Sequence, residues 1–129
     1  MIVLLGFYRR RQDLSWDQFS HHWRNIHGPL LRDTPATARH IRRYVQHHLR
    51  PNPDHPEAAL PYDGFSEVWF ESVEDRKAMH SDPQYQALMP ADEALFLDLT
   101  ATRLHMIDMP VVQIGEETRV NGETVRFIG

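Results

Sequence analysis

The chain has 129 residues, enough for one domain with a single hydrophobic core and too few for two. Its formal net charge is −4 and its arginines are interleaved with carboxylates, so we expect no nucleic-acid partner. It contains no cysteine, which excludes disulfides, thiolate nucleophiles and cysteine-based zinc sites.

The first segment is apolar and predicts a β-strand. Residues 2–9 are rich in Val, Leu and aromatic side chains and are bounded by charge. Basic residues follow the apolar ones, which is the reverse of a secretory signal. No apolar run reaches the roughly 18 residues that span a bilayer. We therefore expect a cytoplasmic protein with no membrane partner.

The second predicted element is a helix that begins at Ser15. Ser15 with Gln18 three residues later is the pattern of a capping box. Apolar side chains then recur at helical spacing, which predicts one buried stripe along the helix. These side chains are Phe19, Trp23, Ile26 and Leu30.

The end of this helix carries the most distinctive motif of the sequence. Trp23 and His27 are four residues apart, so we expect their side chains on one helix face. Gly28 and Pro29 follow directly and predict that the helix ends there. An imidazole beside a large aromatic ring at a helix end suits a proton-transfer group at the mouth of a pocket. A histidine that only caps the helix or packs against it is the alternative.

Six further segments complete the predicted secondary structure. They are a strand over residues 39–49, a proline-rich loop over 51–63, a strand over 64–71, a helix over 72–80, a helix from Pro90 through Leu97, and a strand over 100–109. The order strand, helix, strand, strand, helix, strand is typical of the ferredoxin-like βαββαβ fold. This is an α+β fold in which helices cover one face of a four-stranded antiparallel sheet.

The other face of this sheet is predicted to be aromatic. Alternation puts Tyr44 and His48 on one face of the second strand, about 13 Å apart by strand rise. It puts Phe65 and Trp69 on one face of the third strand. We predict that all four line the face that the helices leave open. Such a surface is too apolar for a monomer, so we expect a homodimer whose two sheets pack face to face.

The C-terminal part of the chain predicts a β-hairpin. We expect one domain over residues 1–109 and an extension over residues 110–129. Asn121 and Gly122 supply the two positive-φ positions of a type I′ turn. Because an isolated hairpin is only marginally stable, we expect this one to pack on the dimer, either on its own subunit or on the partner.

Four motifs in chain order resemble those of the EthD family. They are Trp23-x-x-x-His27-Gly28-Pro29-Leu30, then Arg43-Tyr44-Val45-Gln46-x-His48, then Tyr62-Asp63-Gly64-Phe65-x-Glu67-x-Trp69-Phe70, and then Asp92-Glu93-x-x-Phe96-x-Asp98. The resemblance covers residues 1–109 and implies a dimeric α/β barrel. Members of this family act on small oxygenated rings in a pocket between sheet and helices, usually without a metal or an organic cofactor.

The resemblance also implies candidate catalytic residues. In the methylmuconolactone isomerases of the family, a histidine of the helix-end motif and a tyrosine and a histidine of the sheet line the pocket. The matching positions here are His27, Tyr44 and His48. We expect His27 to act as the acid or base, and Tyr44 and His48 to position or polarise a carbonyl or hydroxyl. Those isomerases also use cysteine, which counts against the same isomerisation here.

Further residues are candidates for substrate binding. Trp23, Phe65 and Trp69 are expected to form the wall of the pocket. Glu67 lies between two aromatic side chains of the third strand, so it needs either an ion pair with an arginine such as Arg42 or a raised pKa. Asp98 either orients His27 or begins the last strand.

A metal site is the less favoured alternative for the histidines. The nine histidines contain two adjacent pairs, and neighbours in a strand point to opposite faces. We therefore expect no metal; the alternative is a two-histidine, one-carboxylate site that the fold assembles from His27, His48 and Glu67.

The resulting prediction is a small-molecule enzyme of catabolism that needs no cofactor. It would be an oxidoreductase, a lyase or an isomerase, performing oxygenation or acid/base chemistry of the isomerase, decarboxylase or dehydratase type on a small oxygenated or aromatic ring. The alternative is a non-catalytic binding or accessory protein for a hydrophobic metabolite.

Overall fold

A computed structural model describes residues 1–107 and 110–125 of the chain. Its strands and helices, in chain order, are β1 Ile2–Tyr8, α1 Trp16–His22, a π-helical turn Trp23–His27, α2 Gly28–Asp33, α3 Pro35–Ala38, β2 Ile41–His48, a 3₁₀ turn Pro56–Ala58, β3 Gly64–Phe70, α4 Val73–Ser81, α5 Pro83–Phe96, β4 Arg103–Ile107, β5 Arg119–Val120 and β6 Glu123–Thr124. The predicted strand over residues 100–109 is thus shorter, and its last two residues lie outside the described part.

Strands β1 to β4 form one antiparallel sheet in the order β2-β3-β1-β4. This order is that of a ferredoxin-like sheet, so the predicted α+β fold is confirmed. The helices lie on one face, where the Trp23 ring packs against the ring of Tyr8 with 5.9 Å between centroids. No helix in the described residues is long and apolar enough to cross a membrane.

The first helix begins as its sequence predicts and ends differently. Ser15 caps α1, and the Gln18 side chain accepts a hydrogen bond from the Ser15 backbone, which completes the capping box. Gly28 does not end the helix, because its φ of −57° and ψ of −52° are helical and α2 continues to Asp33. Pro29 is accommodated because the chain widens into a π turn, which relieves the clash between a proline ring and the preceding turn.

The long helix α5 also begins earlier than predicted. Asp82 caps its N-terminus by accepting a hydrogen bond from the Gln84 backbone at 2.8 Å. Pro83 occupies the first helical turn, where a proline lacks no hydrogen bond that the helix needs. The predicted start at Pro90 is therefore wrong, since Pro90 lies inside the helix. Ser72 caps α4 by accepting a hydrogen bond from the Asp75 backbone at 3.1 Å.

The two faces of the sheet carry different side chains from those predicted. Tyr44 pairs with Val68 and His48 with Gly64, whereas Phe65 and Trp69 pair with His47 and Arg43. Paired residues share a face, so Tyr44 and His48 lie under the helices and Phe65 and Trp69 lie on the open face. The prediction that all four share the open face is wrong, because a one-residue difference in register exchanges the faces of a strand.

The predicted hairpin forms and covers part of the open face. Asn121 and Gly122 have φ values of 53° and 80°, as a type I′ turn requires. Val120 is 8% exposed and packs with Val3 and Trp69 of the same chain. The hairpin thus shields one end of the aromatic surface that the helices leave bare.

Candidate functional site

A cavity of about 260 Å³ lies between the sheet and the helices. Most of its lining is apolar, contributed by leucines, Val68, Phe70 and Met79. Eight polar side chains also reach it, and an apolar cavity with convergent polar groups is typical of a small-molecule site. They are His27, Tyr8, Tyr44, Tyr85, Glu93, Arg76, His80 and Thr102.

His27 is the buried imidazole of this cavity. It ends the π turn, is 6% exposed, and its ring lies 5.1 Å from the Phe96 ring between centroids. Its Nδ1 lies 2.8 Å from Oδ2 of Asp92. Burial lowers the pKa of His27, and the hydrogen bond to Asp92 opposes that shift only in part. The imidazole is therefore neutral at neutral pH, with Nδ1–H donating to Asp92 and Nε2 available as a base.

Asp92 is the group that orients His27. It lies on α5, is 8% exposed, and its second oxygen accepts a hydrogen bond from Nε2 of His22 at 2.9 Å. The His22 ring stacks on Phe96 with 4.6 Å between centroids. Two imidazole N–H groups thus satisfy one buried carboxylate, which fixes the ring of His27.

Asp98 does not take this orienting role. Its carboxylate accepts hydrogen bonds from the backbone and hydroxyl of Thr100, at 3.1 and 2.6 Å. It therefore begins the turn that leads to β4. The hypothesis that Asp98 orients His27 is wrong. Asp98 has the alternative, structural role before the last strand.

Tyr44 presents a hydroxyl to the cavity. Its oxygen accepts hydrogen bonds from Nε1 of Trp23 at 3.1 Å and from Nε2 of Gln46 at 3.3 Å. Since both neighbours are donors, the hydrogen of the Tyr44 hydroxyl remains available for a ligand. Burial raises the pKa of Tyr44 well above its usual value, so the hydroxyl stays protonated and acts as a donor.

His48 supports Tyr44 from outside the cavity. Nε2 of His48 donates to Oε1 of Gln46 at 2.9 Å, and Nδ1 accepts from the hydroxyl of Ser20 at 2.7 Å. Gln46 is thereby oriented so that its amide N–H groups point to Tyr44 and to the Trp23 carbonyl. The structure does not bring His48 into the cavity beside His27. It lines a separate polar groove with residues of α1.

Trp23 is not among the residues that line the cavity, and it makes an unusually close contact with the sheet. It is 1% exposed, and the edge of its ring lies against Gly64, where a Cβ atom would come within 2.4 Å of the ring. Only glycine allows this approach. The indole is thereby placed to donate its hydrogen bond to Tyr44.

We expect Gly64→Ala to destabilise the fold by about 1–3 kcal/mol, because the added methyl group overpacks against the indole. The denaturation midpoint in urea measures this. In a Trp23→Phe background the smaller ring should reduce the cost of Gly64→Ala, so the two substitutions should be non-additive. Equal costs in both backgrounds would contradict the contact.

Three of the predicted substrate-binding residues, Phe65, Glu67 and Trp69, lie on the open face, away from His27. Glu67 accepts hydrogen bonds from Nε2 of His47 at 2.5 Å and from Nε1 of Trp69 at 3.2 Å. The predicted pairing of Glu67 with Arg42 is wrong, since Arg42 binds Glu71 at 3.2 Å.

The metal set of His27, His48 and Glu67 does not assemble, because Glu67 lies across the sheet. In the part of the chain that the structure describes, no group of three or more histidines and carboxylates is placed to hold a metal ion.

Glu93 is the most important residue that the sequence analysis missed. It lies next to Asp92 on α5, and burial in the apolar cavity raises its pKa to about 6. It lines the cavity with Tyr8, Tyr44 and Tyr85, whose pKa values are raised by burial and further by the charge of Glu93. A signal was present: Asp92 has helical spacing with the buried Met89 and Phe96, so the acidic pair lies on or beside the buried stripe.

The chain is similar in sequence to proteins named decarboxylases. The chain is 27% identical over 115 residues to the decarboxylase claH of Passalora fulva, covering 80% of this chain and 71% of that protein. It is 28% identical over 109 residues to a decarboxylase of Claviceps purpurea, covering 75% and 73%.

Solved structures show the same architecture. An EthD family protein from Bacillus halodurans superposes with a TM-score of 0.62 at 19% identity, over 84% of this chain and 98% of that one. A dimeric ferredoxin-like protein of unknown function from Bacteroides fragilis superposes with a TM-score of 0.59 at 15% identity, over 83% and 94%. The EthD domain model matches residues 11–100. The chain therefore belongs to the EthD family.

Proposed function

We propose that this protein is a lyase that removes carbon dioxide from a small oxygenated ring acid by acid/base chemistry, without a cofactor. One observation carries the proposal: a neutral imidazole and a carboxyl group of raised pKa line the same apolar cavity. The neutral imidazole is available as a base, and a carboxyl with a pKa of about 6 keeps a protonated fraction at mildly acidic pH and is available as an acid. The relatives named decarboxylases favour this reaction over oxygenation.

Each residue has a role in this reaction. The hydroxyl of Tyr44 holds the ring carbonyl oxygen that lies β to the carboxylate. Glu93 donates its proton to that oxygen while the bond to the carboxylate carbon breaks and its electron pair moves into the ring. The products are carbon dioxide and the enol. Nε2 of His27 then takes the enol proton and delivers it to the ring carbon, which restores the carbonyl. Solvent returns a proton to Glu93 and completes the cycle.

The apolar lining assists the same step. A carboxylate in an apolar cavity loses its hydration, whereas the neutral carbon dioxide and the enol lose little. Asp92 keeps the His27 ring in position, and His48 acts on Tyr44 only through Gln46. Phe65, Glu67, Trp69 and Asp98 have no part in the proposed site, because they lie outside the cavity.

We also infer that the protein is a homodimer. The open sheet face keeps an aromatic cluster beyond the hairpin, in which Phe7 and Phe65 stack at 5.6 Å and His47 and Phe65 at 4.2 Å between ring centroids. The Bacteroides fragilis protein of the same fold is described as dimeric. A second copy of this chain would bury the cluster. Light scattering of the purified protein tests this.

The experiment that tests the function measures carbon dioxide release from a panel of ring β-keto acids and 2-hydroxybenzoic acids. We expect Tyr44→Phe to lower kcat roughly 100-fold, because one donor to the developing oxyanion is lost. Tyr62→Phe is the matched control and should leave the rate unchanged, since its ring packs on Phe7 outside the cavity. If the wild-type protein binds these acids and releases no carbon dioxide, the protein is a binder and the proposal fails.

A further inference from the structure

The guanidinium of Arg76 lines the cavity and has no ion pair among the residues that the structure describes. Arg76 lies on α4 and lines the cavity opposite its sheet wall. Its Nε atom is buried, and among the described residues it has no hydrogen-bond acceptor. A guanidinium is always charged, so a buried N–H of this group without an acceptor is costly. The arrangement calls for an acceptor that is not part of the chain.

Other arginines of the chain show how different Arg76 is. Arg10 binds Asp63, Arg42 binds Glu71 and Arg39 binds Asp82. Arg76 has an acidic neighbour in sequence, Asp75, but that carboxylate faces His40 at 3.4 Å. No ion pair of Arg76 is present in the described part of the chain.

Glu93 does not neutralise Arg76 either, although both line the cavity. A carboxylate paired with a guanidinium has its pKa lowered, whereas the pKa of Glu93 is raised by burial and by Asp92. Burial lowers the pKa of His80, and the positive charge of Arg76 lowers it further. Burial raises the pKa of Tyr85, and the charge of Arg76 opposes that rise. The cavity therefore has a cationic end on α4 and an acidic end on α5.

We propose that Arg76 binds an anionic oxygen of the ligand and so selects ring acids over their neutral analogues. This inference rests on the proposed function for the kind of ligand, and it adds the residue that recognises it. The bound oxygen belongs to a group other than the carboxylate that is lost, such as a second carboxylate or an ionised ring hydroxyl. A guanidinium on the leaving carboxylate would stabilise the ground state and slow its loss.

Binding of 1-naphthoate and of 1-naphthamide by isothermal titration calorimetry tests the inference without turnover. The pH is set below the pKa of Glu93 so that the acidic end of the cavity is uncharged. The wild-type protein should bind naphthoate at least 10-fold more tightly than naphthamide. Arg76→Gln should lose that preference and leave the affinity for naphthamide unchanged, while Arg76→Lys should keep part of it, because it keeps the charge without the planar fork.

Arg42→Gln is the matched control, since Arg42 lies outside this cavity and its loss should leave the preference unchanged. Thermal unfolding of each variant shows that it is folded. A preference that survives in folded Arg76→Gln, or a wild-type protein that binds both compounds equally, overturns the inference. Selective naphthoate binding through Arg76 without release of carbon dioxide from any ring acid would instead overturn the proposed function alone.

Discussion

Replacing His27 by glutamine should lower kcat by about 10²–10⁴-fold and leave KM almost unchanged. Glutamine keeps an N–H that can donate to Asp92, so the buried carboxylate retains a partner and the fold should persist. What is lost is the imidazole nitrogen that takes a proton from the reacting ring. Steady-state kinetics on the best ring acid of the panel measure the change.

Two other histidines provide control variants for His27→Gln. His21→Gln, on the exposed side of α1, should leave the rate unchanged. His22→Gln should lower it less than His27→Gln, because His22 shares Asp92 with His27 and is not among the residues that line the cavity. If His27→Gln retains the wild-type rate, His27 is a packing residue and the reaction needs another base. A ligand affinity that falls as far as the rate would favour the binding-protein alternative.

Several elements of the fold could be predicted from the sequence because they depend on residues close together in the chain. Ser15 with Gln18 predicted the cap of α1, and Asn121 with Gly122 predicted the hairpin turn; both are present. The end of the first helix was not accessible in the same way. Gly28 and Pro29 favour a helix end in isolation, but a π turn accommodates the proline when Trp23 and His27 are both held by tertiary contacts.

The site was predicted only in part because its geometry depends on pairing between distant segments. Alternation within β2 correctly placed Tyr44 and His48 on one face of that strand. It carried no information on which face of β3 matches it, and the observed register pairs Tyr44 with Val68. Tyr44 and His48 were therefore wrongly assigned to the open face, where Phe65 and Trp69 do lie. A helix that begins at Pro90 would place Asp92 and Glu93 in its first turn. In the structure the helix begins at Pro83, and Asp92 lies between Met89 and Phe96 on the buried face.

Glu93→Gln should abolish the alkaline limb of the pH–rate profile and lower the rate at its optimum by about 10²–10⁴-fold, because the proton donor is lost. Activity in the wild-type protein needs neutral His27 and protonated Glu93. The pKa of His27 lies below 6.5, and that of Glu93 is raised to about 6. The rate should therefore rise as the pH passes the lowered pKa of His27 and fall at higher pH with a midpoint near 6. A profile that is flat from pH 5 to about pH 8 would contradict the assignment of Glu93 as the acid.

The same substitution should stabilise the fold, and this separates a catalytic carboxyl from a structural one. The pKa of Glu93 is raised from 4.5 to about 6 by folding, so the folded state holds its proton more tightly than the unfolded chain does. The contribution of protonated Glu93 to the free energy of unfolding is fully present below pH 4.5 and is lost as the pH rises through about 6. Glu93→Gln removes this loss and should raise the free energy of unfolding at neutral pH by up to about 2 kcal/mol, with exposed Glu57→Gln as the unchanged control. A carboxyl retained for structure would be destabilising to replace, whereas one retained for proton transfer costs stability at the pH where it works.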